Sequence, residues 1–170
     1  MDKDLGRLKA ICRWCFIGTK VLSALIIFSI IATIVLTAFV VLNPQILIDY
    51  PIEIETTGDN MSMSQFLIYV LVLVFTLLVA LAIVITLGEI FKSIYKEYSP
   101  FVQENYVRFK RVSLLVILTM VFIPAKCYVG FTTNAMTDFL SSLTIAVLIY
   151  AIALIFHYGQ YLQKESDETL

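Results

Sequence analysis

The sequence predicts an all-α fold: a polytopic membrane protein with four transmembrane helices and both termini in the cytoplasm. Three observations predict it. The chain of 170 residues is 60% hydrophobic and 15% charged, with a mean hydropathy of +0.92, which is far too apolar for a soluble domain of this size. Two charge-free runs, 21–48 and 60–88, each exceed the roughly 20 apolar residues that a bilayer-spanning helix needs. Lysine and arginine are segregated: Lys3, Arg7, Lys9, Arg13 and Lys20 precede the first run, Lys92, Lys96, Arg108, Lys110 and Arg111 follow the second, and none lies between. Basic residues in short loops mark the cytoplasmic side. These ten of the twelve basic residues therefore fall inside, and the intervening loop, charged only by Asp49, Glu53, Glu55 and Asp59, falls outside.

Each element follows in order, within one membrane domain over 1–170. The first apolar run is too long for the core of a cleavable signal peptide and lacks a small-residue cleavage site, so it is expected to stay attached. Helix one is expected over about 19–42, ending at Asn43-Pro44, where proline cannot donate to a continuing ladder. The outer loop, 43–65, holds Pro51 and a turn-like stretch at 56–60, with 46–48 and 52–54 as short interfacial or extended pieces. Helix two, about 66–91, is apolar all round, with Glu89 at its inner end. In the inner loop, 92–112, Ser99-Pro100 reads as an N-cap with proline at the first helical position. Phe101, Val102, Tyr106 and Phe109 then alternate with Gln103, Glu104, Arg108 and Lys110, a short amphipathic helix at the interface. Helix three (about 113–131), an outer turn (132–138), helix four (about 139–161) and an acidic inner tail (162–170) complete the chain. Trp14, Tyr95, Tyr98, Tyr158 and Tyr161 fall at the inner interface and Tyr50 at the outer one, as interfacial aromatics do.

Few residues offer chemistry. Lys126 lies inside span three, and an ionisable group there is a functional candidate by default; Pro124 beside it frees the carbonyl of Met120 and is expected to kink the helix. The structural alternative is that Lys126 snorkels outward or pairs with Asp138. Cys12 and Cys15 form a Cys-x-x-Cys pair on the side of the membrane that also holds His157. A closed zinc site wants four ligands and a redox motif wants a strand–helix context, so no metal site is expected from these three residues. Cys127 reads as a small hydrophobe. Ser29, Thr33 and Thr37, four residues apart, form a packing stripe whose hydroxyls can bond their own helix.

Two segments, 89–105 and 155–170, carry the pair Pro100-Phe101 with Asn105 after it, and the pair Tyr158-Gly159 followed by the tail 162–170. In these residues and in its layout the chain resembles the small bacterial four-span proteins grouped as domain of unknown function 2975. The resemblance implies a bacterial plasma-membrane protein of a family without assigned activity, whose genes often neighbour one for a small helix-turn-helix transcription regulator. The chain departs from that family at His157, where arginine is usual, so a role needing a permanent positive charge there does not carry over.

The resulting expectation is an interaction protein that holds or modulates a cytoplasmic factor, such as a transcription regulator of that kind. Pro100, Phe101, Asn105, Arg108, Lys110 and Arg111 are the expected contact residues, with the tail 164–170 beside them. The alternative is a small transporter, channel or resistance or immunity protein with a cavity near Lys126; against it, the spans lack the repeated acidic or histidine residues of a proton relay. An enzyme is not expected, because the chain has one histidine and no hydroxyl, thiol or carboxylate placed beside a base. The expected partners are the lipid bilayer, the cytoplasmic regulator and a second copy of the chain in a homodimer. No cofactor and no direct nucleic-acid binding are expected.

Overall fold

Four helices long and apolar enough to cross a membrane make up most of the computed structural model. It describes residues 2–46, 61–96, 101–128 and 134–168, with the backbone alone for 2–5 and 167. Helix α1 is Asp2–Leu42, α2 is Met63–Lys96, α3 is Gln103–Met120, α4 is the short Ile123–Tyr128 and α5 is Ala135–Glu168. There is no strand among the described residues. The extended pieces expected at 46–48 and 52–54, and the cap expected at Ser99-Pro100, fall wholly or mainly outside them.

The helices outrun the spans expected of them. Helix α1 has 41 residues, about 60 Å at 1.5 Å per residue, against a hydrocarbon core of about 30 Å. Residues 2–20 contain no proline and carry Lys, Arg or Leu at seven positions, all good helix formers, so the basic N-terminal segment simply continues the span. Helix α2 likewise carries Lys92 and Lys96 in its last turns. The amphipathic stretch expected as a separate interfacial helix is instead the first half of α3, which opens at Gln103 with an extended Val102 at the N-cap.

The helix ends have local causes. At the end of α1 the Asn43 amide and its side-chain Nδ2 both donate to the Phe39 carbonyl, at 3.1 and 3.2 Å, and Pro44 then offers no donor. Helix α2 starts earlier than expected because Ser62 and Gln65 form a capping box: the Gln65 amide donates to Ser62 Oγ (3.3 Å) and the Ser62 amide to Gln65 Oε1 (2.9 Å). Asn134 caps α5 by accepting the Thr137 amide at 3.2 Å. The kink expected near Pro124 is a full break: Val121 and Phe122 form a turn between α3 and α4, because Pro124 cannot donate to Met120.

Principal contacts run in a row, α1 on α2, α2 on α3, α3 on α5, with α4 touching α2 and α5. Two antiparallel hairpins are thus joined through α2 and α3. In α1 the residues turned toward α2 recur every three or four positions: Cys12, Phe16, Thr19, Ser23, Ile26, Ile30, Thr33, Thr37 and Val40 are partly or fully buried. In α2, Val72, Val79, Thr86 and Ser93, seven apart, are buried. A seven-residue repeat is the spacing expected of long helices packed side by side at a shallow crossing angle. The outer faces stay apolar and open, with Trp14 73% and Phe28 70% exposed, which suits lipid and not water.

Candidate functional site

Toward one end of the molecule the Phe16–Lys20 stretch of α1 packs on the last turns of α2, the start of α3 packs on the later part of α5, and α2 joins α3. Phe16 packs against Tyr95 at 5.9 Å between centroids, with the Lys20 ammonium 5.5 Å over the Phe16 ring. Phe101 and Phe109 flank Phe156 at 5.5 and 4.8 Å, and Tyr106 stacks on His157 at 4.7 Å. The early part of α1 and the later part of α5 therefore lie on the side that carries Lys92, Lys96, Lys110 and Arg111.

Two glycines allow this end to close. A Cβ on Gly159 would fall 2.5 Å from Phe101 Cδ1, and one on Gly88 would fall 2.8 Å from Thr19 Oγ1. Phe101 thus lies flat on α5 because residue 159 has no side chain, and α1 approaches α2 closely for the same reason at residue 88. Thr19 keeps its hydroxyl satisfied by donating to the Phe16 carbonyl at 2.8 Å. Further along the same α3–α5 seam, Ser113 Oγ donates to the Ala146 carbonyl at 2.9 Å, between helices and out of solvent, beside the buried Val112, Ala146 and Ala153.

Arg108 is the hub between the hairpins. Its Nε lies 3.4 Å from Glu89 Oε2 on α2, its Nη2 donates to Glu104 Oε2 at 3.1 Å, and its Nη1 donates to Asn105 Oδ1 at 3.0 Å. Asn105 has no exposed surface, and the Arg108 side chain is 22% exposed. The Glu104 pair sits at i,i+4 with Glu 73% exposed, so by itself it contributes only about 0.3–0.5 kcal/mol. Its larger effect is to hold the guanidinium plane toward Glu89, so that one residue cross-links α2 and α3.

The expected contact residues therefore divide. Pro100 lies outside the described residues. Phe101 is packed on Phe156 and Gly159, Asn105 is buried, and Arg108 is occupied in the junction. Lys110 and Arg111 are exposed. Lys126 is partly buried in α4, one turn beyond the break, and among the described residues no ion pair joins it to Asp138. Cys12 is buried, Cys15 and Cys127 are partly buried, and all three are free thiols. No group of three His, Cys, Asp or Glu residues able to hold a metal comes together among the described residues; His157 stacks instead on Tyr106 across the α3–α5 seam. Ser29, Thr33 and Thr37 donate to carbonyls of their own helix at 3.0, 2.8 and 2.7 Å.

One polar residue of this end escaped the sequence reading. Ser93 is buried on the seven-residue seam of α2 and lines a cavity with Glu89, Lys92, Lys96 and Arg108. Its signal was its seven-residue distance from Thr86, masked by the basic neighbours that make the segment read as surface.

The fold and this end define a class: an all-helical chain whose four long apolar helices fit a multi-pass membrane protein, with a polar, mostly basic junction where α2 meets α3. Comparison with family models, with curated proteins and with solved structures found no match to the chain.

Proposed function

We propose that this is a bacterial plasma-membrane protein that holds or modulates a cytoplasmic factor, such as a helix-turn-helix transcription regulator, through its basic end. The carrying observation is that helical structure extends well beyond the apolar spans at that end, with Lys92, Lys96, Lys110 and Arg111 exposed on it. The positive-inside bias assigns that end to the cytoplasm. Phe101, Asn105 and Arg108 build the platform in this reading, and Lys110 and Arg111 touch the partner. Exposed cations steer an acidic partner over about a Debye length, about 8 Å at physiological ionic strength.

The test is co-purification from native membranes with Lys110→Gln/Arg111→Gln as the comparison. Arg108 is left intact so that the junction stays assembled. The expected result is a regulator recovered with the wild type and lost with the double variant or at raised salt. Equal recovery from both proteins contradicts the role given to these two residues. The alternative, a small transporter or resistance factor, places function at Lys126; Lys126→Met then alters solute flux and leaves recruitment intact.

A further inference from the structure

Glu89, Lys92, Ser93, Lys96 and Arg108 line one cavity beside the α2–α3 junction. The lining carries three cations, one carboxylate and one hydroxyl. The hydroxyl is unusual. Ser93 is 6% exposed, and its Oγ is the one buried side-chain oxygen or nitrogen among the described residues that lacks a hydrogen-bond partner. Other hydroxyls on the same helix, Thr76 and Thr86, donate to the carbonyl four residues back at 2.8 Å. A buried hydroxyl left unpaired is costly, and an acceptor entering the cavity would satisfy it.

The cations around it have different states of occupation. Arg108 has five N–H donors; Glu89, Asn105 and Glu104 engage its Nε, Nη1 and Nη2, leaving one hydrogen on each Nη. Lys92 and Lys96 are exposed on the last two turns of α2. No ion pair engages either lysine among the described residues. A carboxylate ligand would satisfy few of these donors; a tetrahedral oxyanion presents acceptors in several directions at once.

We infer that this cavity is a binding site for a phosphate-class anion. Lys92 and Lys96 supply positive charge, Arg108 supplies its remaining N–H groups, and Ser93 Oγ donates from the buried side. The same chemistry is offered by an anionic phosphomonoester lipid headgroup at the membrane face or by soluble phosphate. Glu89 is the internal competitor: an anion that draws on Arg108 weakens the pair joining α2 to α3, so occupancy is felt at the junction between the two hairpins. The site needs no protein partner, so its failure would leave the recruitment reading standing, and the reverse.

The experiment uses the intact protein in phosphatidylcholine nanodiscs. One arm measures binding of radiolabelled inorganic phosphate; the other counts phosphatidic acid bound by native mass spectrometry from doped discs. The expected result is that at least one probe binds, that Lys92→Gln/Lys96→Gln weakens it about tenfold or more, and that Ser93→Ala weakens it about threefold. Phosphate binding identifies a soluble ligand, and binding of phosphatidic acid alone identifies a headgroup. Both variants keep wild-type helix content by circular dichroism. If neither probe binds, or if Ser93→Ala binds as the wild type does while only the lysine variant weakens, the site is overturned and only surface charge remains.

Discussion

Asn105 and Gly159 show how much of the basic end depends on single atoms. The Asn105 amide is wholly buried and accepts from Arg108, so Asn105→Leu strands an arginine donor in a partly buried position. We expect a loss of about 1–3 kcal/mol by reversible unfolding in mixed micelles, with the Glu89–Arg108 link weakened too. Gly159→Val drives a side chain into the Phe101 ring, 2.5 Å from where its Cβ would stand, and overpacking of this kind costs about 1–3 kcal/mol. At Gly88 the obstruction is a single hydroxyl, Thr19 Oγ1 at 2.8 Å, with Thr19 Cβ at an ordinary 3.5 Å. Gly88→Ala is therefore expected to lower stability and Thr19→Ala to restore most of the loss, which a double-mutant cycle measures directly. The sequence exposed Phe101, Asn105 and Gly159 as notable positions but not their contacts. Gly159 stood out only through the resemblance, and the ring of Phe101, 58 positions earlier in the chain, gives it physical meaning.

At the scale of the helix, the spans were legible and their packing was not. Long charge-free runs are the strongest signal in the chain, so the existence of all four helices followed from hydropathy. The face of α1 that meets α2 followed only in part: of the hydroxyl stripe, Thr33 and Thr37 are half-buried in it and Ser29 is exposed, while Ile26, Ile30 and Val40 in the seam are no more apolar than Leu25, Phe28 and Val35 outside it. Lipid and protein demand the same side chains, and hydrophobic periodicity vanishes when both faces are greasy. The early start of α2 was readable in Ser62 and Gln65, three apart, as a capping box. Pro124 did announce the interruption between α3 and α4, where Phe122 stacks on Phe75 at 4.0 Å between centroids. Pro124→Ala restores a donor for Met120 and is expected to fuse α3 with α4 and draw Phe122 away from α2. In a cysteine-free background, a short thiol crosslinker between Phe75→Cys and Phe122→Cys should then join them less efficiently than in the parent carrying Pro124; equal efficiency would show that proline does not set the break.

For the whole molecule, the organising fact is the segregation of charge along the helix axes. Apolar windows occupy the middle of the four long helices, and the ends that gather Lys92, Lys96, Lys110, Arg111 and the Arg108 junction project past them on one side. Among the described residues the hairpins meet where α2 packs on α3 and, less extensively, on α4, which makes the α2–α3 junction a place where an anion or a partner can alter the relation between them. The recruitment reading depends on this end facing the cytoplasm. The most direct test is membrane-impermeant maleimide labelling of single cysteines at Gly6, Gln103 or Lys164, and at Ser64 on the opposite end, after Cys12, Cys15 and Cys127 are replaced by alanine. The account predicts that intact cells label only Ser64→Cys and that the other three react only after the membrane is opened; labelling of Gly6→Cys, Gln103→Cys or Lys164→Cys from outside would contradict it.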